Sequence, residues 1–600
     1  MTPRRPDFLG VDESLGGYRW VERLDAAGAA SALAIAQRTG LPEIVARVLA
    51  GRGVLPDDVA GFMDPSLRTL MPDPDVLTDM PAAAERIADA IVRRERMVIF
   101  GDYDVDGASS AAVLARFLVA HGHTARIYIP DRIFEGYGPN VEAVRQLAAD
   151  GYGLMVTVDC GATGFEPLAE ARKLGLDVVV LDHHEVGVDL PDAVAVVNPN
   201  RQDDLSGLGY MAAAGVVFMA TVAISRILRR RGWYTGDRKA PDLLRVLDLV
   251  ALGTVCDVVP LRGLNRAFVV KGIAAMAHRG NRGLAALADV ARLGEPTAAH
   301  HLGFILGPRI NAGGRIGDAA LGSRLLASED AEECASIAQE LDRLNVERRE
   351  MERVALEAAY AEAEAEVGDG NGPAVLVTEG EGWHPGIVGL VASRLKDRFN
   401  RPAAAIALLP NGEGTGSARS AEGFDIGLAV RQAVAAGILA KGGGHPMAAG
   451  LTVSRERLGE LRDHLVRSFE RDARTPDRHE LRVDAALSAR GATSDLVEAL
   501  DSAGPYGAGH PEPLLVLPRH RLHFVSATDT GHLRVELRSA DGASLRGIAF
   551  RAADTELGRR LLQSPGGTFH FAGHLGIDRY RERADLSLRL RDAAEVRDAG

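Results

Sequence analysis

Cysteine is scarce in this chain: Cys160, Cys256 and Cys334 are the only three among 600 residues. That excludes a disulfide framework and does not suit a thiolate-rich metal site. Long apolar runs are missing too. No stretch of about 18 consecutive apolar residues exists, so no membrane-spanning helix is expected. The opening "MTPRRPDFLGVDESLGG" has two arginines but no apolar core, so it does not read as a secretory signal. The default location is cytoplasmic. Aromatic residues make up 5%, which leaves few rings for stacking. Positive charge is also in deficit, with 69 Lys and Arg against 82 Asp and Glu and a net charge of −13. A protein that coats nucleic acid by bulk charge would not look like this. An acidic metal site with local basic strips would. The chain is 46% hydrophobic and 25% charged, ordinary globular material for roughly three or four domains.

Order along the chain comes from periodicity. Residues 1–75 read as a helical, irregular segment. From about 82 to 262, short β-branched apolar runs alternate with amphipathic helices. "RMVIFG", "ARIYIP", "GLMVTVDCG" and "LDVVVLDHH" are the strands. This predicts an α/β domain with a parallel sheet covered on both faces, and ligands beyond the carboxyl ends of its strands. Residues 329–367 contain neither Gly nor Pro and form one long connecting helix, its apolar stripe interrupted by Arg348. A second α/β unit follows at about 373–470. From about 480 the pattern changes to short alternating strands, a small β-barrel.

Carboxylates crowd the ends of the apolar runs. "VIFGDYDVDG" places Asp102, Asp104 and Asp106 at alternate positions just before a helix. One N-cap explains one aspartate, not three, and the three repel one another unless a cation neutralises them. "VTVDCG" ends on Asp159, "VVVLDHH" on Asp182, His183 and His184, and "GTVCDVVPL" breaks an apolar run at Asp257. Buried aspartates are costly unless paired or metal-bound. Four such segments fit one shared site. Carboxylates with one or two imidazoles suit Mn²⁺ or Mg²⁺. Cys160 and Cys256 adjoin the ligands, and alternation along a strand turns them into the core. Five or six ligands suffice for two ions, the arrangement that hydrolyses phosphoesters with an activated water.

"DYDVDG", "VTVDCG", "DHH" and "GTVCDVVPL", in this order, resemble the motifs of the DHH phosphoesterases. Further along stand "GPRINAGGRIGDA" (307–319), "GWHPGIVGLVASRL" (382–395), "GSARS" (416–420), "GGGHPMAAG" (442–450) and "GPYGAGHPEP" (504–513). With these the chain is similar to the branch of that family specific for single-stranded DNA, whose members are 5′→3′ exonucleases acting in DNA repair and recombination. The resemblance runs from about residue 55 to 600 and implies, after the helical segment at 1–75, a DHH domain at 76–320 and a connecting helix within 321–370. A DHH-associated α/β domain at 371–470 and an OB-type nucleic-acid-binding barrel at 471–600 complete it. It implies Asp104, Asp106, Asp159, His183 and Asp257 as metal ligands, Asp102 as a contributor to a second ion, and Asp182 as support for the histidines. His184 would stand beside the scissile phosphate. The implied partner is single-stranded DNA with a 5′ end, with a helicase and a single-strand-binding protein as candidates to deliver it, and no membrane. An oligoribonuclease or cyclic-dinucleotide phosphodiesterase of the same family and a non-catalytic DNA-binding scaffold remain as rival readings.

The remaining motifs suggest phosphate contacts. Gly443 and Gly444 leave backbone N–H groups open to a phosphate that His445 could also reach, although a bare glycine turn would look the same. Ser417 and Arg419 lie two apart on one side of an extended segment. With Arg309 they could grip a terminal 5′-phosphate through charge-assisted hydrogen bonds. Arg309 and Arg315 could instead pair with acidic loops, and Asn311 could merely fix a turn. Tyr137 is a stacking candidate, and Arg521, Arg534, Arg538, Arg546 and Arg551 offer a basic track along the barrel. The family pattern has Asn where this chain has His510, a position read as structural. The arginine-rich segment 226–239 matches no motif and reads as a solvated helix end or a DNA strip.

Overall fold

A computed structural model describes residues 6–132, 135–294, 296–368, 372–472, 480–581 and 583–596. The chain divides into two compact units, residues 67–475 and residues 1–66 with 476–600. Strands are numbered along the chain. β1 (Arg19–Glu22) belongs to the second unit. Five strands build the first sheet: β2 (Met97–Gly101), β3 (Arg126–Tyr128), β4 (Leu154–Val158), β5 (Asp177–Leu181) and β6 (Ala195–Val197). All pair in parallel, in the order β3-β2-β4-β5-β6. The order reverses between β2 and β4, and the crevice beyond the strand ends at that switch point is where ligands bind in such sheets. β2 and β4 are fully buried, as continuous apolar runs in a doubly covered sheet should be.

The connecting helix spans Ala331–Val367, capped by Asp330, which accepts from the N–H groups of Glu332 and Glu333. Its first half buries Ile337, Leu341 and Leu344. Its second half buries only alanines, Ala355, Ala359 and Ala363, four residues apart on one face. Small residues there let the next domain pack closely: Leu376, Val391 and Leu395 share a core with those alanines. That domain holds β7 (Leu376–Glu381), β8 (Ala403–Leu408), β9 (Glu413–Arg419), β10 (Lys441–His445) and β11 (Ala448–Ser454), in the order β10-β11-β9-β8-β7.

In the second unit β1 pairs in parallel with β12 (Glu480–Val483), and β13 (Ala485–Ala486) leads into the barrel. β14 (Leu515–Ala527), β15 (Leu533–Arg538), β16 (Ser544–Ala549), β17 (Thr568–Arg581) and β18 (Arg583–Glu595) form a sheet that β14–β17 pairing closes. A helix, Glu556–Gln563, lies between β16 and β17, completing an OB-type barrel. The N-terminal segment is part of this unit. Ile35, Val45 and Leu49 share a core with Leu500, Leu517 and Phe571, and the Trp20 indole N–H donates to Asp592 at 2.8 Å. Among the described residues, no helix is long and apolar enough to cross a membrane.

Three local expectations are corrected. The run through Cys256 is not a strand: Asp257 caps the helix Leu247–Cys256, which is buried on every side through most of its length and so shows no helical period. Cys256 therefore owes its position to that helix end rather than to strand alternation. "GPRINAGGR" is no turn but the helix Gly307–Ile316, and "GGGH" is the strand β10 rather than a loop after a helix.

Candidate metal centre and anion cluster

Asp104 caps the helix Val105–Ala120, accepting from Gly107 N–H at 2.9 Å. The helix then turns Asp106 inward, where its carboxylate accepts from the N–H groups of Ala213 (2.6 Å) and Ala214 (3.0 Å) at the start of another helix. Asp159, just past β4, holds a left-handed backbone with φ 61°, strained for a residue with a Cβ. His183 Nε2 lies 3.2 Å from Asp159, 3.6 Å from Asp257 and 3.9 Å from Asp106. Asp102, Asp104 and Asp159 form an overlapping set, with ligand atoms within 4.8 Å of one another.

Asp102 Oδ1, Asp159 Oδ1, His183 Nε2 and Asp257 Oδ2 are all buried without a hydrogen-bond partner. Buried polar atoms are rarely left so, and orphaned atoms within these overlapping ligand sets fit the binding of divalent cations. Burial and neighbouring carboxylates raise Asp102 and Asp159 well above the usual range. Burial, then Asp104, pushes Asp106 to about 7, and burial, then Asp106 and Asp104, pushes Asp257 to about 9. Burial, then His184, lowers His183 to about 4, leaving a neutral imidazole suited to a metal.

Asp182 differs. Its Oδ1 accepts from the N–H groups of His183 and His184 and from His184 Nδ1 at 2.7 Å, and its Oδ2 from the N–H of Ala162, so both oxygens are engaged in hydrogen bonds. Burial alone would lower His184, but its bond to Asp182, with Asp257 and Asp102 beyond, holds it up at about 9. The Tyr137 hydroxyl donates to the Asp159 carbonyl at 3.0 Å and lies 3.2 Å from His184 Nδ1.

A second cluster gathers guanidinium groups. Arg315 donates to the Gly386 carbonyl at 3.2 Å; burial, then Arg132, Arg348 and Arg419, pushes it down to about 10. Burial and Arg132 likewise lower Arg419. Arg132 lies over the ring of Tyr103, between Asp102 and Asp104, with its guanidinium carbon 5.1 Å from the ring centre. Buried like charges are costly unless an anion sits among them. Ser417 accepts from Arg419 at 2.7 Å. Across β9, β11 and β10, Ser417 registers with Gly450 and Gly443, and Arg419 with Ala448 and His445. Opposed residues share a face, so Ser417, Arg419, Gly443 and His445 line one side of the sheet, with open space above both glycines. Gly444 falls on the other side.

Arg309 is not in this cluster: it pairs with Asp342 at 2.9 Å and donates to the Ile305 carbonyl. Asn311 sits on the same helix. Arg132 and Arg348 were missed. Arg348 announced itself as the residue breaking the long helix's apolar stripe; Arg132 had no signal beyond its place in the loop before Tyr137. Three of the arginines of 226–239 are ion-paired, Arg226 to Asp73 and Asp75, Arg230 to Glu85, and Arg231 to Glu85 and Asp89, which favours the solvated helix end over a DNA strip. His510 is buried, bonded to the Ala503 carbonyl at 2.9 Å and stacked on Tyr506.

Parallel strands in this order, acidic loops and histidines at the switch point, a second α/β domain and a closed five-stranded barrel define a protein of the DHH type. Models of the DHH family's N-terminal domain, the DHHA1 domain and the RecJ OB domain match residues 96–254, 372–471 and 483–592. The chain is 37% identical over 535 residues to the single-stranded-DNA-specific exonuclease RecJ of Escherichia coli, covering 86% of this chain and 90% of that protein. Against the Bacillus subtilis protein of the same name it is 33% identical over 531 residues, 87% of this chain, and spans 64% of that protein's length. Its fold resembles the crystal structure of Thermus thermophilus RecJ in complex with Mn²⁺, with TM-score 0.79, 28% identity, and coverage of 97% of this chain and 80% of that one. The chain belongs to the RecJ family.

Proposed function

We propose that this chain is a metal-dependent exonuclease that degrades single-stranded DNA from the 5′ end to 5′-mononucleotides, in DNA repair and recombination. The observation that carries the reading is the set of orphaned buried ligand atoms around His183. Asp102, Asp104, Asp106, Asp159, His183 and Asp257 would hold Mn²⁺ or Mg²⁺, two ions in this reading. Bound there, the metal supplies Lewis acidity, lowering the pKa of an attacking water and neutralising the phosphate.

The chain's own groups do the rest. The N–H groups of Ala213 and Ala214 fix Asp106, and Asp182 fixes His184. His184, held by Asp182, would donate to the phosphate undergoing cleavage. Arg132, Arg315 and Arg419, with Ser417, grip the strand's end. A terminal phosphate carries more negative charge than an internal diester and suits several guanidinium groups better, which sets the polarity of digestion. Single strands arise where duplex is unwound, so a helicase and a single-strand-binding protein are the implied partners, in the cytoplasm.

The test uses purified protein with Mn²⁺ and two single-stranded oligonucleotides, one labelled at each end. Immediate release of labelled mononucleotide from the 5′ end, gradual shortening of the 3′-labelled strand and an intact blunt duplex are expected, with EDTA abolishing all cleavage. Attack from the 3′ end, or on short RNA alone, would refute the reading.

A further inference from the structure

The residue that follows the candidate metal ligand Asp257 does not suit its own backbone. Val258 holds a left-handed conformation with φ 61°, just past a helix end, where glycine is the usual residue. For a β-branched side chain this is a strained state. Its N–H completes the helix end by donating to the Val255 carbonyl at 3.2 Å. Glycine would make that bond equally well without the strain. The Val258 side chain is 70% exposed, so packing within the fold returns little for it.

A second exposed apolar side chain stands on the element packed against this helix end. Leu302–Leu306 is a π-helix, a rare turn that is frequent at functional sites. Leu302 and Leu306 are buried, and Phe304 between them is 82% exposed. The two elements are locked together. Cys256 Sγ donates to the Leu302 carbonyl at 3.3 Å. A Cβ at Gly307 would meet that sulfur at 2.6 Å, and one at Gly303 would touch Val255 at 3.5 Å. Glycines thus bring the π-helix down onto Val255 and Cys256, the two residues before Asp257.

We infer that Val258 and Phe304 form an apolar ledge that packs on the nucleotide being cleaved, and that Val258 selects deoxyribose over ribose. This rests on the exonuclease reading and adds to it the residues that recognise the sugar. Val258, one residue from a metal ligand, is the nearer to the reacting phosphate and so meets the sugar. Phe304, one element further out, meets the base, on which a ring stacks without regard to sequence. Valine methyls offer a 2′-hydroxyl no hydrogen-bond partner, so a ribose held there loses water without replacement. Apolar contacts of this kind discriminate against a hydroxyl by about a hundredfold at most. A protein partner is the competing occupant of the ledge. The place of Val258 directly after Asp257 favours the nucleotide, because a partner seated there would cover the metal centre.

The test uses the full chain with Mn²⁺ and 5′-phosphorylated oligonucleotides, either all DNA or with one ribonucleotide at the first, second or third position. The wild type should slow by about 10- to 100-fold at one of these positions. Val258→Gly and Val258→Thr should each reduce that ratio at least about fivefold, the first by removing the methyls and the second by offering the 2′-hydroxyl a partner. The Mn²⁺ concentration for half-maximal cleavage should not change, since Asp257 stays in place. Val258→Gly should melt at no lower a temperature than the wild type, because glycine takes φ 61° without strain. A valine that served the fold alone would give the reverse, lower stability with intact selectivity. Phe304→Ala should raise KM for DNA at least about fivefold, the low end of what one base stack is worth, with little change in kcat, and Phe304→Trp should restore it. Selectivity and KM equal to the wild type in all four variants would overturn the proposal and leave the ledge to a protein partner. Equal rates at ribonucleotides and deoxyribonucleotides in the wild type would overturn it as well. Failure of the wild type to cleave DNA from its 5′ end would instead strike the exonuclease reading.

Discussion

Asp106 accepts two backbone N–H groups, yet burial and Asp104 raise it to about 7, and burial with Asp106 raises Asp257 to about 9. In the unfolded chain such groups lose their protons near pH 4. The metal-free fold is therefore favoured below that pH and loses stability as pH climbs through the raised values. His184, held near 9, acts in the same direction. A divalent cation competes with those protons and binds the deprotonated ligands, so its affinity rises with pH. The increase in melting temperature caused by Mn²⁺ should thus be larger at about pH 8.5 than at about pH 6. Thermal unfolding with Mn²⁺ and with EDTA at both values checks this, and an equal increase would contradict the ligand assignment. At this scale the acidic ligands were legible because buried aspartates are conspicuous in apolar runs. Arg132 was not, because its effect depends on guanidinium groups brought from Arg315, Arg348 and Arg419, far apart in sequence.

Short apolar strands read well even when buried on both faces, and helices read well where one face is buried, but a helix apolar all round shows no period. The strands β2, β4 and β5 stand out as short apolar runs. The helix Leu247–Cys256 does not, because it is apolar all round. Glycines hid the helix Gly307–Ile316. They are there for closeness: a Cβ at Gly314 would meet the Tyr103 carbonyl at 2.7 Å, so only glycine lets this helix lie against the acidic loop. The N-terminal segment was legible as helical but not as part of the barrel unit, since β1 pairs with a strand some 460 residues away. Trp20 marks the join, fully buried and bonded to Asp592. Trp20→Ala should cost about 3–5 kcal/mol, with a further penalty for the unpaired Asp592. Urea unfolding should show the loss, and a change below about 1 kcal/mol would mean the segment contributes little to the barrel.

At the scale of the molecule, the candidate metal ligands and the barrel belong to different compact units. Residues 67–475 contain the candidate metal ligands, Tyr137, the guanidinium cluster and the glycine-floored sheet; the other unit contains the barrel. A net charge of −13 gives no general attraction for DNA, so in the proposed reading affinity comes from local sites in one unit or both. Residues 67–475 produced alone should therefore keep metal-dependent cleavage of short strands. Their KM for long strands should rise at least about tenfold, because each base stack removed is worth about 1–3 kcal/mol, while kcat changes little. The salt dependence of the long-strand KM should flatten in step, as fewer phosphates are neutralised. A folded fragment, verified by circular dichroism, that cleaves nothing would show that the chemistry depends on the barrel unit. One that matches the full chain on long strands would show that the metal centre and its arginines supply all of the grip.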